Sequence, residues 1–342
     1  MKIVVLGGGS GSRLWPLSAG ARSKIFLNLL PAPGGGRESM IRRLWRQLRE
    51  AGLGESVYVS TNAEQLALVK KHADAAVRVI PEPGRRGTFP AVVFAASYLQ
   101  DVCGAGNEET VCVLPADLFA DDGFFELVKN MDNVLTESGA DLAVIGVKPR
   151  YPSEAFGYII PAENAQTGKP SVKVERFAEK PSEEEARAFI RRRALWNCGV
   201  YAFKLGFMAN WLHLRGYPVR HELLFKQYDR LPAVSFDHEV AENTASIAAV
   251  PFAGEWKDLG TWLTLTEEMD TRIIGKGVIS EDSQNTHVIN ELAIPVAVLG
   301  ISGVIVACGP DGILVADKAA SPRLKNMLQA VNAVRHKADE VL

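Results

Sequence analysis

Residues 1–18 read MKIVVLGGGSGSRLWPLS, and this stretch decides the fold class. The apolar residues 3–6 predict a short buried strand, which stops at a turn made of glycine and serine. Backbone N–H groups in such a turn can surround an anion closely, because no Cβ stands in the way. Arg13, directly after the turn, adds a fixed positive charge with the geometry to bind a phosphate. We therefore predict a strand followed by an anion-binding loop, with a plain glycine-rich turn as the alternative.

The loop differs from two common phosphate-binding patterns. It does not fit G-x-x-x-x-G-K-[ST], and Ser12 stands at the third glycine position of G-x-G-x-x-G. The second strand candidate, residues 57–60, runs into Thr61 and Asn62 rather than into an acidic residue. A dinucleotide-dependent oxidoreductase is therefore a weaker alternative.

Apolar strands alternate with helical patterns over the first 149 residues. Continuous apolar strands between helices predict a Rossmann-like, mostly parallel sheet with helices on both faces. Ligands of such sheets bind at the carboxyl ends of the strands. The strand candidates are residues 3–6, 57–60, 77–80, 111–114 and 142–147, and the helical patterns cover residues 40–48, 64–72, 91–102 and 124–135.

The pattern changes after Pro149, and we predict an antiparallel lobe there. A third sequence pattern, of short strands separated by Gly and Pro, begins near residue 275 and ends in a helix over residues 322–341. The predicted domains are residues 1–270, with halves 1–149 and 150–270, and a small β-rich domain of residues 275–342. The strand candidates of the lobe are residues 157–160, 172–177 and 199–203, with a helix at 183–195.

Composition excludes several classes of function. The 342 residues carry 38 Lys and Arg against 40 Asp and Glu, a balance that gives no general attraction to nucleic acid or an anionic membrane. No apolar stretch has the pattern of a signal peptide or the length of a membrane span, so we expect a cytoplasmic protein. The cysteines form no C-x-x-C pair and are expected to be buried thiols: Cys103, Cys112, Cys198 and Cys308.

Several motifs together resemble those of one enzyme family. Residues 8–18, GGSGSRLWPLS, followed by Lys24 in SKIF, closely resemble the signature of sugar-1-phosphate nucleotidylyltransferases. The Trp-Pro-Leu form is similar to mannose-1-phosphate guanylyltransferases in particular. Gly87 and Phe89 depart from the family pattern, which has Asn and Ala there. Further matching stretches are EPGRRGTFPA (82–91), LPAD (114–117), FGYI (156–159), RFAEKP (176–181), WNCGVY (196–201), SFDHEVAEN (235–243) and WKDLGTW (256–262).

The resemblance implies a nucleotide-diphospho-sugar transferase fold with a short left-handed β-helix at the C-terminal end, in a form without an isomerase domain. It implies transfer of GMP from GTP to mannose 1-phosphate, giving GDP-mannose and pyrophosphate. A phosphate monoester is already largely dianionic at neutral pH, because its second pKa is about 6. The reaction therefore needs in-line positioning and charge neutralisation rather than a general base.

The resemblance also assigns roles to charged residues. Arg13 and Lys24 are expected at the triphosphate, and Lys180 at the sugar phosphate. Asp117 and Asp258 are the expected ligands of the cofactor Mg²⁺, which favours one or two carboxylates together with substrate phosphates. The alternatives are a surface lysine at Lys24 and helix caps at the two aspartates.

Binding residues are implied for both substrates. Glu82 is our hypothesis for the acceptor of the guanine N1–H and N2–H₂ groups, and a loop glutamate without a ligand is the alternative. Glu179, with Gly157 and Asn197, is expected to read the sugar hydroxyls. The full set expected at the nucleotide is Leu6, Gly8, Gly9, Ser10, Gly11, Ser12, Glu82, Arg86, Thr88 and Pro115.

Three alternatives stay open. The same reaction on another sugar 1-phosphate, such as a heptose or glucose, or with another nucleoside triphosphate is the nearest. A catalytically silent protein that binds sugar nucleotides and regulates a partner belongs to another class, and the retained charged residues argue against it. Association into a homo-oligomer is open as well.

Overall fold

The computed structural model describes residues 1–9, 12–163 and 170–339. The strands are β1 Lys2–Leu6, β2 Leu30–Pro31, β3 Arg37–Glu38, β4 Val57–Asn62, β5 Arg78–Glu82, β6 Thr110–Pro115, β7 Leu118–Ala120, β8 Leu142–Val147, β9 Tyr158–Pro161, β10 Val172–Ala178, β11 Leu195–Lys204, β12 Ile247–Phe252, β13 Trp256–Asp258, β14 Ile273–Gly275, β15 Gly277–Ile279, β16 His287–Asn290, β17 Val296–Val298, β18 Val304–Gly309 and β19 Gly312–Asp317. The helices are α1 Met40–Glu50, α2 Leu66–His72, α3 Thr88–Asp101, α4 Gly123–Lys129, α5 Met131–Ser138, α6 Glu183–Arg191, α7 Leu205–Leu214, α8 His221–Lys226, α9 Trp262–Glu267 and α10 Leu324–Asp339.

The chain divides into two compact units, both discontinuous in sequence. The first consists of Met1–Gly8 and Leu44–Trp256, and the second of Gly9–Arg43 and Lys257–Leu342. The sequence-based boundaries near residues 149 and 270–276 do not describe this division, and they stay predictions.

One sheet organises the first unit. Within the described ranges it has nine strands in the order β5-β4-β1-β6-β11-β8-β12-β10-β9. The pairs among β5, β4, β1 and β6 are parallel, as is the pair of β8 and β12, whereas β11 runs antiparallel to both β6 and β8. The predicted mostly parallel α/β sheet is thereby confirmed. Ile3, Val4 and Val5 are buried in its centre, which accounts for the apolar run at the start of the chain.

The region after Pro149 contributes strands to this same sheet. The predicted antiparallel pairing is present between β9 and β10. β11 starts earlier than the predicted strand at residues 199–203, and its register shifts between Asn197 and Tyr201. Gly199 lies within this irregularity with a φ of 72°, a conformation that suits glycine.

Some elements differ from the sequence-based expectation. The helical pattern at residues 124–135 is two helices, α4 and α5, separated at Asn130. The helices α7 and α8 and the strand β12 were not predicted. Cys112, Cys198 and Cys308 are buried free thiols as expected, whereas Cys103 is exposed just after α3, so its predicted burial is wrong. None of the described helices combines the length and apolarity needed to cross a membrane.

The second unit is rich in β structure, as predicted for the C-terminal region. β14, β16 and β18 pair in parallel, β15 pairs in parallel with β17, and β19 adds an antiparallel edge. Residues 9–43 belong to this unit. The indole N–H of fully buried Trp262 donates to the carbonyl oxygen of Trp15 at 3.2 Å, and the Trp15 ring lies against Gly312. The Trp-Pro-Leu motif therefore has a packing role, and its Trp15–Pro16 bond is cis.

Gly87 offers a test of the fold at a position where the sequence departs from the family pattern. Its φ is 95°, and a Cβ there would lie 2.6 Å from the carbonyl oxygen of Val234. Gly87→Ala is therefore expected to destabilise the protein by about 2 kcal/mol or more, measured by chemical denaturation. Gly84→Ala in the same loop is the matched control, because no atom lies within 4 Å of its added Cβ, and its effect should stay below about 0.5 kcal/mol. Equal stability of the two variants would contradict the backbone conformation at Gly87.

Candidate active site

The carboxyl ends of β4, β1 and β6 meet at one edge of the first unit's sheet. There the N–H of Gly7 donates to the carbonyl oxygen of Ser60 at 2.8 Å, and the N–H of Ala116 donates to that of Leu6 at 3.1 Å. These bonds fix the start of the glycine loop and the backbone that leads from β6 to Asp117. Parallel sheets bind ligands at this edge.

Glu82 is a buried carboxylate at the end of β5. Its side chain lies beside the glycine loop, since a Cβ on Gly8 would come within 3.3 Å of its Oε2. The hydroxyl of Ser60 donates to its Oε1 at 2.8 Å. Burial raises the pKa of Glu82 to about 7, and the Ser60 hydrogen bond and the charge of Arg85 only partly offset it. The protonated form of Glu82 is therefore favoured more than it is in water, and both carboxyl oxygens lie beside the loop.

The two other predicted nucleotide residues of this loop are engaged by the protein. The Nε and Nη2 atoms of Arg86 donate to the carbonyl oxygen of Leu231 at 3.2 and 2.9 Å. The hydroxyl oxygen of Thr88 accepts the N–H of Phe236 at 2.8 Å. Phe89 is fully buried in the core at the start of α3. These contacts fasten the loop to the segment around residue 231–236, and a nucleotide role for Arg86 and Thr88 stays a prediction.

Asp117 follows β6 by two residues and is half-buried. The strand β7, not a helix, comes directly after it, so it does not cap a following helix. Pro115 lies next to the irregularity of β11, because a Cβ on Gly199 would be 3.5 Å from the Pro115 Cγ. This contact joins the predicted nucleotide residue Pro115 to the first half of β11.

The predicted sugar residues converge at that half of β11. The N–H of Asn197 donates to the carbonyl oxygen of Gly157 at 2.8 Å. A Cβ on Gly157 would lie 2.7 Å from the Glu179 Oε2, so only glycine lets that carboxylate approach. Glu179 also pairs with Lys180, whose Nζ is 2.5 Å from its Oε1. Four residues predicted separately therefore form one cluster, which we call the sugar cluster.

The sugar cluster includes two residues that the sequence reasoning did not single out. Tyr201 donates its hydroxyl to Asp237 Oδ1, and Asn197 Nδ2 donates to the same oxygen at 2.9 Å. Burial and the nearby Asp237 charge raise the pKa of Tyr201 well above its usual value, so it stays a donor. Burial and then Asp237 also raise the pKa of Glu179. The stretch SFDHEVAEN was the available signal, since it contains Asp237.

The second unit holds the remaining charged residues. Arg13 and Asp258 meet at Gly260, where a Cβ would lie 3.0 Å from the Asp258 Oδ1 and 3.3 Å from the Arg13 Nη1. Asp258 ends β13, and Thr261 rather than Asp258 caps α9. Lys24 opens a short 3₁₀ helix, Lys24–Phe26.

Of the predicted loop, Gly9 is exposed, Ser10 and Gly11 lie outside the described residues, and so does the side chain of Ser12.

The positions of the acidic side chains also show what kind of metal site the described residues could form. Across residues 1–9, 12–163 and 170–339, no group of three or more His, Cys, Asp and Glu side chains is placed to hold an ion. Asp117 in the first unit and Asp258 in the second are each half-buried, and a single carboxylate suits Mg²⁺ when phosphates and water supply its other ligands.

Comparison with known proteins identifies the family. The sequence profile described as "Nucleotidyl transferase" matches residues 2–272. The chain belongs to the nucleotidyl transferase family. Its family membership makes it a nucleotidyltransferase.

Relatives within the family match almost the whole chain. The alginate biosynthesis protein AlgA of Pseudomonas putida is 28% identical over 357 residues, covering 96% of this chain and 71% of that protein. A mannose-1-phosphate guanylyltransferase of Sinorhizobium fredii is 26% identical over 96% of this chain and 67% of its own length. A solved structure from Thermus thermophilus, described as a mannose-1-phosphate geranyltransferase, has a TM-score of 0.79 and 28% identity, covering 97% of this chain and 99% of that one. The sugar-nucleotide transferase fold expected from the motifs is confirmed.

Glu82 gives a pH-dependent prediction for stability. Its pKa is about 7 in the folded protein and about 4.5 when unfolded, so the folded state holds the proton more tightly. Stability is then lost as the pH rises between these values, by about 3 kcal/mol at most. Glu82→Gln removes the buried charge, and its melting temperature relative to the natural protein should rise from about pH 5 to about pH 8. Glu108→Gln, at an exposed position, is the control. A constant difference across this range would contradict the burial of the Glu82 charge.

Proposed function

We propose that this nucleotidyltransferase transfers GMP from GTP to mannose 1-phosphate, giving GDP-mannose and pyrophosphate. The observation that carries the proposal is the sugar cluster, which groups hydroxyl acceptors and the Lys180 cation at the sheet edge that also holds Glu82. The names of the similar Sinorhizobium and Thermus proteins support mannose 1-phosphate as the acceptor.

The chemistry needs no nucleophile from the protein. A phosphate oxygen of mannose 1-phosphate attacks the α-phosphorus of GTP, and the bond from that phosphorus to the bridging oxygen of the β-phosphate breaks. Pyrophosphate leaves with the electron pair. Lys180 neutralises the attacking phosphate, and Arg13 and Lys24 are the cations proposed for the triphosphate. Charge neutralisation and alignment then supply the rate enhancement.

Mg²⁺ is the proposed cofactor. Asp117 and Asp258 are each proposed to contribute a carboxylate to it, as hard oxygen ligands suit this ion. When bound, the ion would neutralise charge on the triphosphate and on the departing pyrophosphate.

Glu82 is the proposed reader of guanine. Its Oε1 is held by Ser60, so Oε2 is the oxygen proposed to accept from guanine N1–H or N2–H₂. Adenine presents no N1–H donor, so an ionised carboxylate there favours guanine. A structure with bound GTP in which Glu82 is turned away from the base would overturn this assignment.

The direct test is pyrophosphate release with Mg²⁺, crossing GTP, ATP, dTTP and UTP with the 1-phosphates of mannose, glucose and a heptose. We expect turnover to be confined to GTP with mannose 1-phosphate. Turnover with a different pair would support the proposed mechanism but show that the substrates are not GTP and mannose 1-phosphate. Folded protein without turnover on any pair would contradict the proposed function and favour a silent binding protein.

The same assay tests Glu82. Glu82→Gln should lower kcat/KM for GTP by about 10- to 100-fold, since a hydrogen bond to a charged group is lost. In the natural protein, KM for GTP should rise as the pH falls below about 7, because protonation removes an acceptor. The variant should lack this pH dependence, whereas the exposed control variant Glu108→Gln should keep it. An unchanged pH profile in Glu82→Gln would remove Glu82 from base recognition.

A further inference from the structure

Asn197, expected to read sugar hydroxyls, is already occupied within the protein. Its Nδ2 lies 2.6 Å from the Tyr201 hydroxyl and 2.9 Å from Asp237 Oδ1. Its Oδ1 accepts the N–H of Gly199 at 3.1 Å. The side chain is buried, with only 7% of its surface exposed. Each polar atom of Asn197 therefore has a protein partner, and little of it is available to a ligand.

Asp237 is different, because its two oxygens are used unequally. Oδ1 accepts from both Tyr201 and Asn197. No described residue donates a hydrogen bond to Oδ2, and the side chain is only half-buried. A carboxylate oxygen with this environment is an acceptor that is oriented by its neighbour and still open to a ligand.

The backbone of Asp237 is held firmly from both sides. The residue before it, Phe236, is buried, packs on the Tyr201 ring with centroids 4.8 Å apart, and donates its N–H to Thr88. The residues after it form a short π-helical turn, Asp237–Ala241, whose Val240 is fully buried. Such turns are rare and recur at functional sites. Here the turn aims one carboxylate at the start of β11.

The same turn also holds Glu179. Glu242 Oε1 accepts the backbone N–H of Glu179 at 2.8 Å, while its Oε2 is 2.8 Å from His238 Nδ1. The turn therefore places Asp237 and Glu179 in one cluster, and Lys180 follows next in the chain with a left-handed φ of 46°. Two carboxylates that accept from hydroxyls and one cation that binds a phosphate are the groups that a sugar 1-phosphate requires.

We propose that Asp237 is a specificity-determining residue whose Oδ2 accepts a hydrogen bond from one hydroxyl of the sugar 1-phosphate, while Tyr201 and Asn197 orient it. The proposal rests on the proposed function, because it concerns the acceptor substrate of that reaction. Asn197 then acts as a positioning residue for Asp237 rather than as the principal reader of the sugar.

The test is Asp237→Asn, measured with the sugar 1-phosphate that the substrate panel identifies and with its 2-, 3-, 4- and 6-deoxy analogues. The variant keeps an oxygen for Tyr201 and Asn197 and replaces the open Oδ2 by an amide donor. We expect kcat/KM for the sugar to fall by about 10- to 100-fold, with KM for GTP unchanged. With the natural protein, kcat/KM for one deoxy analogue should be lower by the same factor. For that analogue, Asp237→Asn should lower kcat/KM no further. Asp141→Asn, at an exposed position, is the matched control and should behave like the natural protein.

If the effect of Asp237→Asn is absent with one deoxy analogue alone, Asp237 recognises that hydroxyl rather than having a purely structural role. A variant that loses the same factor on every analogue, or none at all, overturns the proposal while the proposed function stands. If the natural protein turns over no sugar phosphate, the proposed function fails, and calorimetric titration with mannose 1-phosphate becomes the readout. Weaker binding by Asp237→Asn would then uphold the assignment of Asp237, and equal binding or no binding would overturn it.

Discussion

The antiparallel register of β11 determines which side chains reach the active edge of the sheet. β11 lies between β6 and β8, with Tyr201 opposite both Val113 and Val144. Because its neighbours run in the other direction, β11 begins where they end, and its first residues join their carboxyl ends. Gly199 lies at the register shift and beside Pro115, and its φ of 72° would strain a residue that has a Cβ. The position of Asn197, and through it that of Asp237, follows from this one strand.

The charges of the molecule are arranged locally rather than globally. The formal net charge is only −2, so the whole protein gives little attraction to a substrate that carries several negative charges. Within the sugar cluster, carboxylates and a lysine stand side by side, which suits the proposed ligand, since its hydroxyl groups need acceptors and its phosphate needs a cation. Lys180 can serve the phosphate while adjacent Glu179 serves the ring, since they are neighbours in sequence and their side chains are in contact. Glu82 differs from these residues, because burial destabilises its negative charge. Hydrogen-bond donors of a ligand would offset that loss of solvation.

The sequence predicted the parallel strands well, because β1, β6 and β8 are apolar on both faces and end at recognisable turns. It did not predict β12, whose residues IAAVPF follow an irregular segment and include two alanines and a proline, residue types that are depleted in strands. The cluster of Gly157, Glu179 and Asn197 could be proposed only from motifs, since local pattern carries no information on which strands become neighbours. Asp237 was not predicted because, apart from the motif SFDHEVAEN, the local sequence does not distinguish an aspartate held by an amide and a tyrosine from one on the surface. The association of residues 9–43 with the last quarter of the chain could not be predicted from the sequence either, because it depends on contacts such as that of Trp15 with Trp262.

That association has a consequence for how the protein is made. Segment Gly9–Arg43 is synthesised before the rest of its unit, which begins at Lys257, roughly 200 residues later. At ~5–20 residues per second, the delay is on the order of 10–40 s. During this time Leu14, Leu17, Ile25 and Phe26, all buried in the finished molecule, lack the Lys257–Leu342 part of their unit. The first unit meanwhile receives its strands in sequence. Until that part has been made, the segment that follows the glycine loop can expose apolar surface, and chaperones exist because such surface is prone to aggregate.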